Sequence, residues 1–468
     1  MLKNIMKIKY IFLYTEIFIS LLIFTDVSGA CSVFCIDKNG KLVIGRSYDW
    51  DFGEGLIIVN KRNQLKTAFT YWNEDRNNLA SWTSKYGSIT FVQYGRDIAF
   101  DGMNEAGLFV CELWLEETRY PSVDSRPSIS VDQYVQYLLD NFSTVDEIIA
   151  SDANVRIRPT PDYFTKIHFF AVDSSGNSIV VEFLNGEMVY HTKNTMPVKA
   201  ITNNTYENSI SYINRGVAPN PYSSSSLERF YRIANMISDY EPELQADVIS
   251  YTFNILDAVK SSSRTQFQTS FDIKNRVIYF KSKQNPQLRY FHFDDFDFSC
   301  QTVSKMLDIN ANLSGDVTSE FTNYTSLTNE TLIRTAWENL GYTNVYLPAL
   351  QIVSLYPETF ECNETTGTDE SKNQMPPEIK LNQNYPNPFN PSTIISYRLS
   401  VLSEVKLDIY NMLGEKVKKL VNSFHNTGGH SIIWDGSDDN NNRVCSGMYF
   451  YRLETNGMSF QKKMVLIR

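Results

Sequence analysis

Apolar and polar positions alternate with a period that changes along the chain. Between residues 31 and about 300, two-residue alternation such as Ser178 to Phe183 predicts strands. The amphipathic stretch from Ser226 to Tyr240 predicts a helix. Together they predict an α+β region. From 301 to 360 the pattern predicts a smaller, mainly helical appendage containing Glu330 to Leu340. Residues 361–378 are polar, with a Pro-Pro pair, and read as a linker. Beyond 379 the period becomes two again. Ile395, Tyr397 and Leu399 share one face, as do Val405, Leu407 and Ile409, with turns at Leu413-Gly414, Gly428-Gly429 and Ser446-Gly447. That spacing predicts a small β-sandwich of the immunoglobulin-like kind over 379–468.

The first thirty residues differ from all of these. Lys3, Lys7 and Lys9 precede the apolar run Ile17 to Phe24, and Ser28-Gly29-Ala30 supplies small residues at positions −3 and −1 of a cleavage site. The run is far shorter than the roughly 20 residues of a membrane-spanning helix, so residues 1–30 are expected to be a removed export signal. Cys31 would then carry both a thiol and a free α-amine.

Residues 31–36 and 41–46 are apolar runs separated by Asp37-Lys-Asn-Gly40, a hairpin signal. Whether the loop takes two residues or four, the returning strand brings Arg46 or Tyr48 opposite Cys31, with Asp49 just beyond. The hairpin thus gathers a thiol, an amine, a guanidinium and a carboxylate. A thiol titrates at about 8.5 and an α-amine at about 8, so the amine can take the thiol proton while a nearby cation favours the thiolate. No histidine is required for such a nucleophile.

Composition narrows the alternatives. A chain of 468 residues, 42% hydrophobic and 13% aromatic, has material for two or three folded domains. The net charge of −10 argues against nucleic acid as a partner. Six scattered cysteines do not make a disulfide-stapled scaffold, and neither they nor the five histidines offer the paired spacing of a metal site, so neither metal nor cofactor is expected.

Two sets of words go beyond pattern. Cys31-Ser-Val-Phe34, Gly45-Arg-Ser-Tyr-Asp49, Asp101-Gly-Met-Asn-Glu-Ala-Gly-Leu108, Ile201-Thr-Asn203, Ser226-Leu-Glu-Arg-Phe230, Phe271-Asp-Ile-Lys-Asn275 and Ile278-Tyr-Phe280 occur in that order. In this the 31–300 region resembles the choloylglycine hydrolase family, the N-terminal-nucleophile amidases that include bile salt hydrolases and penicillin V acylases. The resemblance implies a four-layer αββα sandwich. It also implies hydrolysis of a small N-acylated amide through a thioester on the cysteine. Carried over by position, it makes Cys31 the nucleophile, Arg46 and Asp49 its tuning pair, Asn203 an oxyanion donor and Arg229 an active-site cation. At the place of a second asparagine of bile salt hydrolases stands Trp114. That departure puts bile salts in doubt as substrates and leaves the main-chain N–H of residue 114 as the donor. Trp114, Trp82 and Phe109 are candidate walls of an acyl pocket. Taken singly, Asn203 also suits a turn, Arg229 a solvated helix face, and Asn104 to Gly107 a tight turn.

In the tail, Asn382 to Thr393, Val405 to Tyr410, Leu413 to Val417, Ile433 to Gly436, Ser446 to Arg452 and Lys462 to Leu466 resemble the C-terminal sorting domain of the type IX secretion system. This implies a diderm bacterium, passage through the periplasm, the secretion machinery as a partner, and a secreted or outer-membrane-surface protein. Homo-oligomerisation is left open. Two rivals to the hydrolase remain: a surface lipoprotein lipidated at Cys31, which would block the amine, and an acyltransferase on the same fold.

Overall fold

The computed structural model describes residues 30–70, 78–160, 165–216, 218, 220–244, 247–341, 350, 353–363, 379–399, 403–425 and 428–467. The expected signal therefore lies outside the described residues except for Ala30, and most of the expected linker lies outside them too.

The amidase-like region is built on two stacked sheets. A seven-stranded sheet runs, edge to edge, through Ala200–Ile201, Ser32–Lys38 (β1), Lys41–Asp49 (β2), Thr265–Asp272, Val277–Ser282, Arg289–His292 and Gly315–Asp316. A nine-stranded sheet runs through Glu187–Thr192, Ser178–Leu184, Ile167–Val172, Phe109–Trp114, Ala99–Asn104, Ser88–Val92, Leu56–Asn60, Lys305–Asp308 and Thr322–Asn323. Strands such as Leu56–Asn60 and Ser88–Val92 are buried at every position, as their near-continuous apolar runs require when both sheet faces are covered. One cover is the helix Val131–Asn141, whose Tyr134, Leu138 and Leu139 pack with Val110 and Ile58 on the outer face of the nine-stranded sheet. On the other side, Ser226–Ser238 packs against β1 and Val248–Val259 against β2 and Thr265–Asp272. Helix, sheet, sheet and helix form the four expected layers.

The β1–β2 hairpin takes the two-residue loop. Lys38 pairs with Lys41, and Asn39 and Gly40 both adopt positive φ, 51° and 75°, the geometry that the Asn-Gly pair accepts. Val33 then pairs with Arg46 and Ser32 with Ser47, which brings Tyr48 level with Cys31 and leaves Arg46 on the same face two residues back.

Among its described residues the 301–360 region is more helix than strand, as expected, but it is not a separate appendage. Met306 pairs with Ile58 and Tyr290 with Asp316, so these residues extend both core sheets before the helix Ser326–Asn339. Strands of two to four residues carry too few alternations to be read from sequence. The disulfide Cys300–Cys362 and the pairing of Glu361 with Leu65 fasten the far end of this segment to the core, so the first residues assigned to the linker belong to the folded body.

The tail is a two-sheet sandwich. Lys380–Leu381, Thr393–Leu399 and Gly428–Trp434 form one sheet. Lys416–His425, Ser403–Tyr410, Gly447–Thr455 and Met458–Leu466 form the other. Ile395, Tyr397, Val405, Leu407, Ile409 and Trp434 meet in a core of its own.

Candidate active site

Cys31 sits just ahead of β1, 5% exposed, at the end of the gap between the two core sheets. The main-chain N–H of Asp49 donates to its Sγ at 3.4 Å, and the thiol faces the Asp49 carbonyl at 3.7 Å. Burial pushes the Cys31 thiol above its ordinary pKa; Arg46 and Arg229 pull it back down, and Asp49 opposes them. The Asp49 carboxyl is also raised, first by burial, against hydrogen bonds from Thr265 and Ser47 and the charges of Arg229 and Arg46. Ser47 Oγ donates to Asp49 Oδ1 at 2.7 Å, while Asp49 Oδ2 is buried with no hydrogen-bond partner among the described residues.

Arg229, from the helix Ser226–Ser238, is 1% exposed and not the solvated residue its helix pattern allowed. Its Nη1 donates to the Cys31 carbonyl and to Ser32 Oγ, both at 2.6 Å, and its Nε to the Ser224 carbonyl at 3.1 Å. Nη2 donates to Asn203 Oδ1 at 2.8 Å. Asn203 Nδ2 in turn donates to the Trp114 carbonyl at 2.9 Å. The amide is thereby fixed in orientation and keeps a second N–H for another acceptor.

Arg46 bridges the two sheets. Its Nε donates to Asp101 Oδ2 at 3.0 Å and its Nη2 to the Glu112 carbonyl at 2.7 Å. The strand Phe109–Trp114 pairs with its Ala99–Asn104 neighbour only as far as Asp101 opposite Cys111. Past that point the ladder on this edge stops. The carbonyls of Glu112 and Trp114, two residues apart on one edge, are instead taken by Arg46 and Asn203, so the site is built where two side chains replace a missing strand.

The structure brings together Cys31, Arg46, Asp49, Asn203, Arg229 and the main chain of Trp114. The Trp114 ring lies half-buried with its Nε1 donating to Glu116 at 3.2 Å. Two of the expected pocket walls are elsewhere. Trp82 packs edge-on against Tyr137 and donates to Asp140 at 2.8 Å beneath the Val131–Asn141 helix. Phe109 is fully buried between the sheets, 4.7 Å from the Phe271 ring. Both are core residues because their strand positions face packed layers. Asn104 is a turn residue: its Oδ1 accepts from the N–H groups of Ala106 and Leu108 beside Gly107, whose φ is 79°.

Sequence reasoning missed Asp101, Ser47 and Thr265. Asp101 alone left a signal, an acid in the middle of a strand that is apolar up to its last residue. A cavity of about 580 Å³ lies between residues around Leu65 to Thr70 and the tail strands, away from Cys31, and shares no residue with this group. Among the described residues no three His, Cys, Asp or Glu side chains gather as a metal site.

Residues 31–230 match the family described as linear amide C–N hydrolases, choloylglycine hydrolase family, and residues 383–467 match the secretion system C-terminal sorting domain. A penicillin V acylase of Pectobacterium atrosepticum is 26% identical, over 67% of this chain and 94% of that protein. The structure of a penicillin V acylase from Agrobacterium tumefaciens superposes with a TM-score of 0.54 at 26% identity, covering 63% of this chain and 98% of that one. A variant of the conjugated bile acid hydrolase from Clostridium perfringens shares the fold, with a TM-score of 0.50 at 19% identity, covering 61% and 98%. The tail marks the protein for type IX secretion, and so for the medium or the cell surface. The chain is thus a linear amide C–N hydrolase whose residues 31–230 match the choloylglycine hydrolase family, carried ahead of a type IX secretion sorting domain.

Proposed function

We propose that export removes residues 1–30 and leaves Cys31 as an N-terminal nucleophile that cleaves a small N-acylated amide of the penicillin V acylase class. The carrying observation is the orphaned Asp49 Oδ2. In the full-length chain the Cys31 nitrogen is tied up in its peptide bond to Ala30. Once freed, its ammonium or amine supplies the hydrogen bond that a buried carboxylate oxygen otherwise lacks. The family match beginning at Cys31 supports the same boundary.

In this reading the α-amine takes the thiol proton, and Arg46 and Arg229 favour the sulfur anion. Sulfur attacks the amide carbon. The free N–H of Asn203 and the main-chain N–H of Trp114 receive the oxyanion, and the ammonium returns its proton to the leaving nitrogen. Water, deprotonated by the same amine, then splits the thioester to release the acid and regenerate the thiol. Trp114 is the one wall residue retained for the acyl group. Export by Sec to the periplasm and across the outer membrane belongs to the same proposal.

The test uses secreted protein. N-terminal sequencing is expected to start at Cys31, and Cys31→Ala is expected to abolish release of free acid from penicillin V. A start elsewhere, an acyl-blocked cysteine by intact mass, or undiminished turnover by Cys31→Ala would each refute the mechanism. Transfer of the acyl group to an added amine in place of acid release would assign an acyltransferase.

A further inference from the structure

Every charged side chain hydrogen-bonded within the group around Cys31 but one has an assigned part. The exception is Asp101, at the middle of the strand Ala99–Asn104 and fully buried. We propose that Asp101 is a positioning residue that shares the charge of Arg46 with the Cys31 thiol and so sets the pH at which the nucleophile becomes reactive. The inference rests on Cys31 being that nucleophile.

The geometry carries it. Arg46 and Asp101 are 1% and 0% exposed, on different sheets, and their 3.0 Å contact is the carboxylate pairing of this guanidinium. The pair is unevenly satisfied. Arg46 Nη1 and Asp101 Oδ1 are both buried with no hydrogen-bond partner among the described residues, although a bidentate pairing would have used one more contact. One nitrogen of the cation is thus left over for the site. The Tyr48 ring lies 5.6 Å from the guanidinium, and Thr269 Oγ1 donates to Asp101 Oδ2 at 3.4 Å. The Glu112 carbonyl completes the hold through Nη2. A cation so gripped cannot swing toward the sulfur, and its field there depends on how far Asp101 neutralises it.

The titratable groups facing this pair are few. From the Phe109–Trp114 strand come Cys111 and Glu112, and from ahead of β1 comes Cys31; all three act on Arg46 beside Asp101. Burial drives the Cys111 thiol upward and out of the working range. Burial and Asp132 lift Glu112 to about 8. Burial lifts Asp101 to about 7 against the pull of Arg46. Two acids therefore compete for one guanidinium near neutral pH, and a proton lost from either holds the other more firmly.

The experiment follows alkylation of Cys31 by iodoacetamide in the processed enzyme, read by mass spectrometry across pH, beside kcat for penicillin V. Asp101→Asn keeps an acceptor for Arg46 Nε but removes the charge. Its alkylation midpoint is expected about one pH unit lower, so that alkylation on the acid limb is about threefold faster, the roughly tenfold gain in thiolate being partly offset by its weaker nucleophilicity. At the same time kcat falls about threefold, because a thiolate of lower pKa is a weaker nucleophile. Asp101→Glu restores the charge and is expected to return the midpoint to the wild-type value. Should Asp101→Asn fail to fold, Thr269→Val, which removes the second donor to the same oxygen, is expected to move the midpoint in the same direction by a smaller step. A folded Asp101→Asn, or in its place Thr269→Val, with an unchanged midpoint would overturn the inference while leaving the nucleophile intact. Failure of Cys31 to alkylate in the wild type would instead refute the reading on which it rests.

Discussion

The hydrolase core and the sorting tail are both sandwiches of antiparallel strands, yet they bury different kinds of side chain. Among the described residues the tail encloses one charged group, Asp408, which reaches Lys416 at 2.6 Å; the rest of its interior is aliphatic, aromatic, thioether or hydroxyl-bearing, apart from the hydrogen-bonded amide of Asn384. The core encloses Arg46, Asp49, Asp101 and Arg229 within one group, and among the described residues the first three carry atoms with no hydrogen-bond partner. Burying charge without complete pairing is costly, so a fold that needs only to be stable avoids it. The tail is built to be a folded shape. The core keeps unpaired hydrogen-bonding capacity beside Cys31, where an arriving amine, oxyanion or thiolate can use it.

The comparison breaks first at Asn203. Its amide is oriented by Arg229 through Oδ1 and by Trp114 through Nδ2. Asn203→Ala removes an oxyanion donor, and kcat for penicillin V is expected to fall about 10²- to 10³-fold with little change in melting temperature. A loss of stability without that loss of kcat would class Asn203 with the turn residues. In the tail the matching deletion is Trp434→Ala. Trp434 is fully buried, 5.1 Å from the Tyr449 ring, and donates from Nε1 to the Ser437 carbonyl at 2.8 Å. The cavity is expected to cost about 3–5 kcal/mol, seen in calorimetry as a shift of one transition only, with secretion lost and amide hydrolysis by purified protein unchanged. A simultaneous shift of both transitions would show that the two sandwiches unfold as one.

The same contrast explains what was legible in the sequence. In the tail one sheet face meets the core and the other meets solvent, so Ile395, Tyr397 and Leu399 announce their face by alternation alone. In the hydrolase core both faces are covered, and strands such as Leu56–Asn60 show burial without direction. The Asn-Gly turn still marked the hairpin, and either loop length it allowed brings Cys31, Arg46 and Asp49 together; the structure chose the two-residue loop. Asn203 and Arg229 came from the family words, since nothing local separates them from a turn and a helix face. Trp82 and Phe109 were misplaced because an aromatic side chain looks the same in a core as in a pocket wall. Asp101 and the Cys300–Cys362 link depend on contacts between distant segments, which no short-range pattern records.

The smallest expected effect is the most discriminating, because it has opposite sign in the two regions. In the core, Glu112 is lifted to about 8, chiefly by burial and then by Asp132. A carboxyl raised on folding keeps its proton longer in the native state, so between the ordinary carboxylate range and about 8 the native state binds more protons and rising pH favours unfolding. Glu112→Gln removes that penalty. Its core transition is expected to gain on the wild type as pH rises from about 5 to 8. In the tail, His425 is depressed to about 4, first by burial and then by His430, with its Nδ1 2.8 Å from the buried Tyr397 hydroxyl. Here the unfolded ring takes up the proton that the folded ring refuses, so stability present above about 6.5 drains away as pH falls toward about 4. His425→Asn is expected to flatten that fall in the tail transition and leave the core transition where it was. Melting curves of both variants against wild type at several pH values check the pair, and like-signed responses would mean that the burial of charge does not distinguish the two sandwiches.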